Sequence, residues 1–286
     1  MPHVSMERVR QTYKRKDSWW TVLLVDPLAG RLVQVAVGRT WLTPTRLTVA
    51  AFVVGLAAAA AFRHPTPGWL VAGALLYYVS FAIDCVDGKI ARLRQQHSVV
   101  GSWLDFLLDR VRVFVCTVAL FSGLHHLTGD DRFLFAAMGV VFLSLIGYLN
   151  GAETDRANAR MAAPAGAAGA AGNGAPTPQP EPALPSPVQR LRRFLHRHRI
   201  RMNLVSAVEF EMALFVVAPL VAAATGPATV LVVAAVAATL LVGFEAALMA
   251  RFWLRARAYD RTARERQLPA PRPESRPPRG ARVGAG

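Results

Sequence analysis

An all-α bundle of six transmembrane helices, with an N-terminal interfacial amphipathic helix, is the fold class this sequence predicts. Three observations carry it. The 286-residue chain is 53% hydrophobic and also strongly basic, with a net charge of +15, a pairing that soluble domains seldom show. Its apolar residues are gathered in blocks of about 20, the length a helix needs to cross a ~30 Å hydrocarbon core at ~1.5 Å per residue. Lys and Arg are plentiful in alternate connections between the blocks and sparse in the others, the bias that orients spans in a membrane.

The elements follow in order. Residues 1–42 are a basic segment without a short apolar core ahead of a small-residue cleavage site, so they do not read as a signal peptide. Trp19, Trp20 and Trp41 suit the headgroup level, where an indole buries its ring and keeps its N–H wet. Over 27–42, Arg31, Gln34 and Arg39 fall on one side and Leu28, Leu32 and Val35 on the other, which predicts a helix lying on the membrane. The membrane domain is placed at 43–254, with spans at 47–62, 68–90, 101–124, 133–152, 204–226 and 228–250. Residues 161–187 are low-complexity Ala, Gly and Pro with too little apolar bulk to fold alone, and predict a flexible cytoplasmic linker. Residues 188–202 set Val188, Leu191 and Leu195 amid Arg and His, which predicts a second interfacial helix. The Arg- and Pro-rich tail, 255–286, is expected to be disordered. With six spans beside them, these basic segments are assigned to anionic membrane lipids and not to nucleic acid.

Orientation comes from the charge count. The odd-numbered connections hold Arg63, Arg132 and no basic residue, whereas the N-terminal segment, the turn after the second span, the long connection and the tail are all basic. Both termini are therefore expected in the cytoplasm of a prokaryotic cell, with the protein in its plasma membrane. Cys85 and Cys116 lack a metal-binding spacing and read as small apolar fillers.

Four carboxylates then stand out at the cytoplasmic mouth between spans two and three. Asp84, Asp87, Gly88 and Ala91 follow i, i+3, i+4, i+7 spacing, one stripe of a helix, and Asp105 and Asp109 are i, i+4 on the next. Acids in a membrane are expensive enough to imply function, and four converging carboxylates repel one another unless a divalent cation joins them. Hard oxygen ligands suit Mg²⁺ or Mn²⁺, and four carboxylates suffice for two ions ~4 Å apart, an arrangement that clamps phosphoryl oxygens. Gly88 and Ala91 leave room against the helix, and Arg92 adds a bidentate phosphate donor.

The pattern Asp84-x-x-Asp87-Gly88-x-x-Ala91-Arg92, eight residues, then Gly101-x-x-x-Asp105-x-x-x-Asp109 resembles the signature of the CDP-alcohol phosphotransferase (CDP-alcohol phosphatidyltransferase) family of integral membrane enzymes. All eight positions are filled, for which chance at a given start is of order 10⁻⁹ to 10⁻¹⁰. "TPTRLT", Thr43 to Thr48, is similar to the family's Thr-Pro-Asn-x-x-Thr entry into span one. The resemblance implies that Asp84, Asp87 and Asp105 bind two Mg²⁺ or Mn²⁺ ions and that Asp109 is a metal ligand and the general base. It implies donor contacts from Gly88, Ala91, Arg92, Ser98, Gly101, Thr45, Arg46 and Thr48. The reaction implied moves a phosphatidyl-type group from a CDP-linked lipid to a polar alcohol and releases CMP, and a homodimer is a further implication.

The sequence departs from the family pattern in places. Thr45 stands where Asn is common, and Leu108 where Ala is common. Many relatives with phosphorylated acceptors carry a basic residue in a Tyr-x-basic segment, where this chain has Tyr148-Leu149-Asn150. This counts against a phosphate-bearing acceptor, although Arg110, Arg112, Arg156 and Arg251 could compensate, and the acceptor alcohol stays open. Asn150, Arg110, Arg112 and Glu209 are the acceptor candidates, with Arg156 and Arg251 as further cations. For Glu209, Glu211 and Glu245 two readings stay open, acceptor contact or pairing with Arg112 or Arg251. Two other functions compete with the transferase. A cation transporter predicts acids at several depths, and a catalytically silent scaffold leaves the full signature unexplained.

Overall fold

The computed structural model describes residues 6–14, 16–39, 41–96, 98–162, 190, 193–195, 197–201 and 204–267. Among these the secondary structure is helical, with no strand and one isolated bridge between Asp17 and Ile200. In chain order the helices are α1 (Met6–Gln11), α2 (Asp26–Val37), α3 (Pro44–Phe62), α4 (Pro67–Leu93), α5 (Val99–Thr128), α6 (Arg132–Ala162), α7 (Ala207–Thr225) and α8 (Ala228–Gln267).

Local chemistry sets these boundaries. Pro44 and Pro67 open α3 and α4, where a missing N–H costs nothing. The hydroxyls of Thr43 and Ser98 accept from the N–H groups of Arg46 and Gly101, each at 3.3 Å, and so cap α3 and α5. Gly129, at φ 69°, takes the left-handed conformation that ends α5. In α7, a capping box of Ser206 and Glu209 starts the helix, and a π-turn spans Ala213–Val217 just before Pro219, whose ring nitrogen has no proton to give the preceding turn.

Five helices, α3, α4, α6, α7 and α8, are long and apolar enough to cross a membrane. The third expected span, α5, is helical throughout but is not among them, and its first half carries Asp105, Asp109, Arg110 and Arg112. Phe62, Tyr77, Phe121 and Phe215 are buried where the helices meet. Outward, α6 exposes Phe135, Met138, Phe142 and Leu145, and α8 exposes Val232, Val236 and Leu240. Apolar faces of this extent match lipid and not water.

The N-terminal helix expected over 27–42 is α2, which begins one residue earlier and ends at Val37. It buries Ala29, Gly30, Val33 and Ala36 and exposes Leu28, Leu32 and Val35, leaving an apolar stripe for the membrane. Short α1 was not expected, because its six residues carry too little pattern to read. Of the linker expected over 161–187, residues 163–187 lie outside the described ones, while 161 and 162 complete α6. The tail needs a correction too: 255–267 continue α8, whose helix outlasts its apolar pattern, and 268–286 lie outside the described residues. Much of the basic helix expected over 188–202 is likewise outside. Its described part buries Leu195 and Ile200 and joins the N-terminal segment, with Asp17 N–H donating to Arg199 O at 2.8 Å and Arg201 N–H to Asp17 O at 2.9 Å.

Candidate metal centre and donor cleft

The acids are brought to one end of the bundle by helix length. α4 needs about 25 Å of rise before it reaches Asp84, so its last turns emerge where the apolar run ends. After a turn in which Gln95 takes φ 53°, α5 begins, and Asp105 and Asp109 fall about 9 Å and 15 Å along it. α3 packs against both helices and closes the site from the side.

Asp84, Asp87 and Asp105 meet there, each offering one carboxylate oxygen within 4.8 Å of the others. That spacing and the all-oxygen donor set fit a hard divalent cation. Thr48 on α3 donates to Asp87 Oδ2 at 2.6 Å, which orients a buried carboxylate from its outer side. Asp109 is not part of this trio. Its carboxylate forms an ion pair with Arg112 and a second with Arg110 Nη2 at 3.2 Å.

Arg112 is the largest fully buried side chain in the described protein. Its guanidinium lies 3.9 Å from Asp84 Oδ1, donates to Ser80 Oγ at 3.1 Å and sits 5.6 Å from the centre of the Tyr77 ring. It thus joins the first and fourth aspartates through one cation. Gly55 makes the space: a Cβ there would come within 2.6 Å of Arg112 Cδ and 3.2 Å of Ser80 Oγ. Arg110 lies over the Tyr148 ring at 4.1 Å and pairs with Glu211 at 3.4 Å, and Glu211 also accepts from the Tyr77 hydroxyl at 3.3 Å.

A cleft of 620 Å³ opens from the acids toward the bundle surface. Thr45, Thr48, Gly88 and Ala91 line it, as do Arg92, Ser98 and Gly101, with Asp87 and Asp105 at its floor. The protein's own packing does not demand glycine at two of these positions. A Cβ at Gly88 would meet only the Arg92 guanidinium at 3.5 Å, and one at Gly101 only Ser98 and Thr45 at 3.5 Å or more. The space they leave belongs to the cleft. Arg92 is steadied by a 2.6 Å bond from Nε to Thr12 O, which leaves its terminal nitrogens toward Gly88.

Arg46 is placed elsewhere: it does not line the cleft, and its Nη1 donates to Trp41 O at 2.8 Å, at the mouth of α3. Asn150 donates to Glu245 at 3.1 Å, and Glu209 is engaged by Ser206 at the start of α7. Glu211, Glu245 and Glu209 therefore have partners, but these are Arg110, Asn150 and Ser206, with no ion pair to Arg112 or Arg251. Sequence reasoning missed Gly55, Tyr77 and Ser80. Tyr77 and Ser80 did carry a signal, because 77, 80, 84 and 87 form one continuous helical stripe.

Known proteins share this region. Residues 41–171 match the family described as CDP-alcohol phosphatidyltransferase. An archaetidylinositol phosphate synthase of Methanothermobacter thermautotrophicus is 31% identical over 99 residues, 35% of this chain and 45% of that protein. A bifunctional IPC transferase and DIPP synthase of Aquifex aeolicus is 33% identical over 104 residues, 36% of this chain and 23% of that protein. A second archaetidylinositol phosphate synthase, from Aeropyrum pernix, is 36% identical over 85 residues, 29% of this chain and 42% of that protein. The chain thus spans less than half the length of these curated relatives. The matched region holds the three-acid cluster, the cleft and Asp109 together, so it is residues 41–171, the part that carries the site, that match the CDP-alcohol phosphatidyltransferase family.

Proposed function

We propose that this protein transfers a phosphatidyl-type group from a CDP-linked lipid, such as CDP-diacylglycerol, to the hydroxyl of a polar alcohol, releasing CMP. The observation that carries the reading is the junction of the three-acid cluster with a cleft lined by Gly88, Ala91, Arg92 and Gly101. Asp84, Asp87 and Asp105, with Asp109 beside them, would hold two Mg²⁺ or Mn²⁺ ions. Such ions supply charge neutralisation at the diphosphate and on the departing CMP.

The chain's own groups do the rest. Gly88, Ala91 and Gly101 admit the nucleotide against the helix backbones, and Arg92 meets its phosphates with the guanidinium fork. Asp109 accepts the proton of the acceptor hydroxyl as that oxygen bonds to the lipid-side phosphorus. The bond from phosphorus to the CMP oxygen breaks, and CMP leaves with the electron pair. Arg112 and Arg110 hold the Asp109 carboxylate in place for that step.

The acceptor is read as an alcohol without a phosphate. Arg110 and Arg112 already face carboxylates, and Arg156 is paired with Glu153. We read the active site and both termini as cytoplasmic in a prokaryotic plasma membrane, with α5 as a sixth span, a reading supported by the Lys and Arg bias of the connections. Wide apolar faces on α6 and α8 suit a homodimer as well as lipid.

The test is CMP release from CDP-diacylglycerol by the purified chain with a panel of acceptors: glycerol, inositol, serine and ethanolamine, with glycerol phosphate and inositol phosphate for comparison. Release with one unphosphorylated alcohol supports the reading. Release only with a phosphorylated one overturns the acceptor assignment, and none at all, with CDP still bound, overturns the transferase. EDTA should remove the activity and Mn²⁺ or Mg²⁺ restore it. Thr48→Val should raise the metal concentration for half-maximal activity about tenfold, because Asp87 loses its donor.

A further inference from the structure

A second cleft lies apart from the acids. It has a volume of 330 Å³, near the lower end of the ~300–1,000 Å³ common for ligand sites, and opens between α1 and the start of α2. Arg10, Arg31 and Arg199, from three separate segments, line it together with Tyr13 and Asp26. Its one carboxylate is already engaged: Asp26 is held by Lys89 at 3.1 Å and by Arg199 at 3.3 Å. Arg10 and Arg31 are exposed, and neither guanidinium makes a hydrogen bond or ion pair to any described residue.

The cleft is also built in advance. Arg199 sits at φ 60°, a conformation a non-glycine residue adopts only when its surroundings hold it. Here its side chain donates to Lys14 O at 2.7 Å and 3.1 Å and lies 4.8 Å from the centre of the Tyr13 ring. The Tyr13 hydroxyl donates to Asp26 O at 3.3 Å, and burial together with the Asp26 charge raises its pKa above the usual range, so it stays protonated. Leu28, Leu32 and Val35 point outward from the same α2, which sets the cleft at the depth of lipid headgroups.

We propose that this cleft between α1 and α2 binds the phosphodiester headgroup of an anionic glycerophospholipid. Guanidinium forks converging from three segments match phosphate oxygens, and the two that lack partners supply the charge for an anion. The volume takes a headgroup and not a whole lipid, whose acyl chains would continue along the apolar stripe of α2. Such a lipid would fasten α1, α2 and the segment around Arg199 to the membrane, one ion pair from Lys89 on the signature helix.

The experiment is native mass spectrometry of the full chain released from micelles containing equal phosphatidylglycerol and phosphatidylcholine. The wild type should retain one phosphatidylglycerol about tenfold more strongly than Arg10→Gln/Arg31→Gln, and Arg10→Lys/Arg31→Lys should fall between. Lipid held on other basic segments is common to all three proteins and cancels. Both arginines are exposed, so an unchanged melting temperature in detergent verifies that the variants are folded. Equal retention by the wild type and the Gln variant would overturn the site. Displacement of phosphatidylglycerol by millimolar inorganic phosphate would overturn the lipid assignment in favour of a soluble phosphate ligand.

Discussion

Asp109→Asn is expected to cut metal-dependent CMP release by about 1,000-fold while leaving CDP binding measurable. The substitution keeps the shape of the side chain and an oxygen that accepts from Arg112, so the ion-pair geometry around it changes little. In the proposed reaction, what it removes is the group that would take the proton of the acceptor hydroxyl. Because Asp84, Asp87 and Asp105 cluster without Asp109, donor binding should survive the change. Steady-state CMP release and calorimetric CDP binding measure the two effects separately. Turnover within about tenfold of the wild type would mean that another group is the base.

The largest expected loss of stability is at Arg112. Arg112→Met leaves Asp84 facing a thioether and Asp109 with Arg110 alone, and breaking a buried carboxylate's ion pair costs about 3–5 kcal/mol. The lower end applies, about 3 kcal/mol, because the Asp109 side chain is 26% exposed and water offsets part of the loss. Thermal unfolding of the purified protein in one detergent checks this. Arg112→Lys should recover part of the stability, since it keeps the charge but loses the planar fork that reaches Ser80 and Asp109 together. Gly55→Val should reproduce the loss with Arg112 intact, because its side chain occupies the space of the Arg112 stem. An Arg112→Met melting temperature equal to the wild type would show that this network adds nothing to stability.

The two results bear on different parts of the proposal. Loss of turnover in Asp109→Asn with normal melting assigns chemistry to Asp109. Loss of both in Arg112→Met assigns the arginine to holding Asp109 and Asp84, as their shared contact with it indicates.

The helices and the acids were legible in the sequence because both rest on periodicity. Twenty apolar residues in a row, Pro44 and Pro67 at helix starts, and carboxylates at i, i+3 and i, i+4 are local patterns, and local geometry translates them into spans and stripes. The limits of local reading appear where a helix outlasts its apolar pattern. α8 runs to Gln267 although its last turns are charged, and α5 is a full helix whose first half carries four ionisable residues.

Partnership was not legible, because it depends on which helices pack together. Sequence alone determined that four aspartates, two glycines and an arginine share one end of an α-helical membrane protein. Only the tertiary structure decided that three of those aspartates converge while the fourth turns to Arg112, that Gly55 on α3 makes room for that arginine, and that Glu211 on α7 closes on Arg110. The same holds for the cleft of Arg10, Arg31 and Arg199, whose members lie up to 189 positions apart. The physical reason is common to all of them. A charge in a low-dielectric bundle is tolerated where a partner from another helix meets it, and no spacing along one chain segment encodes that meeting.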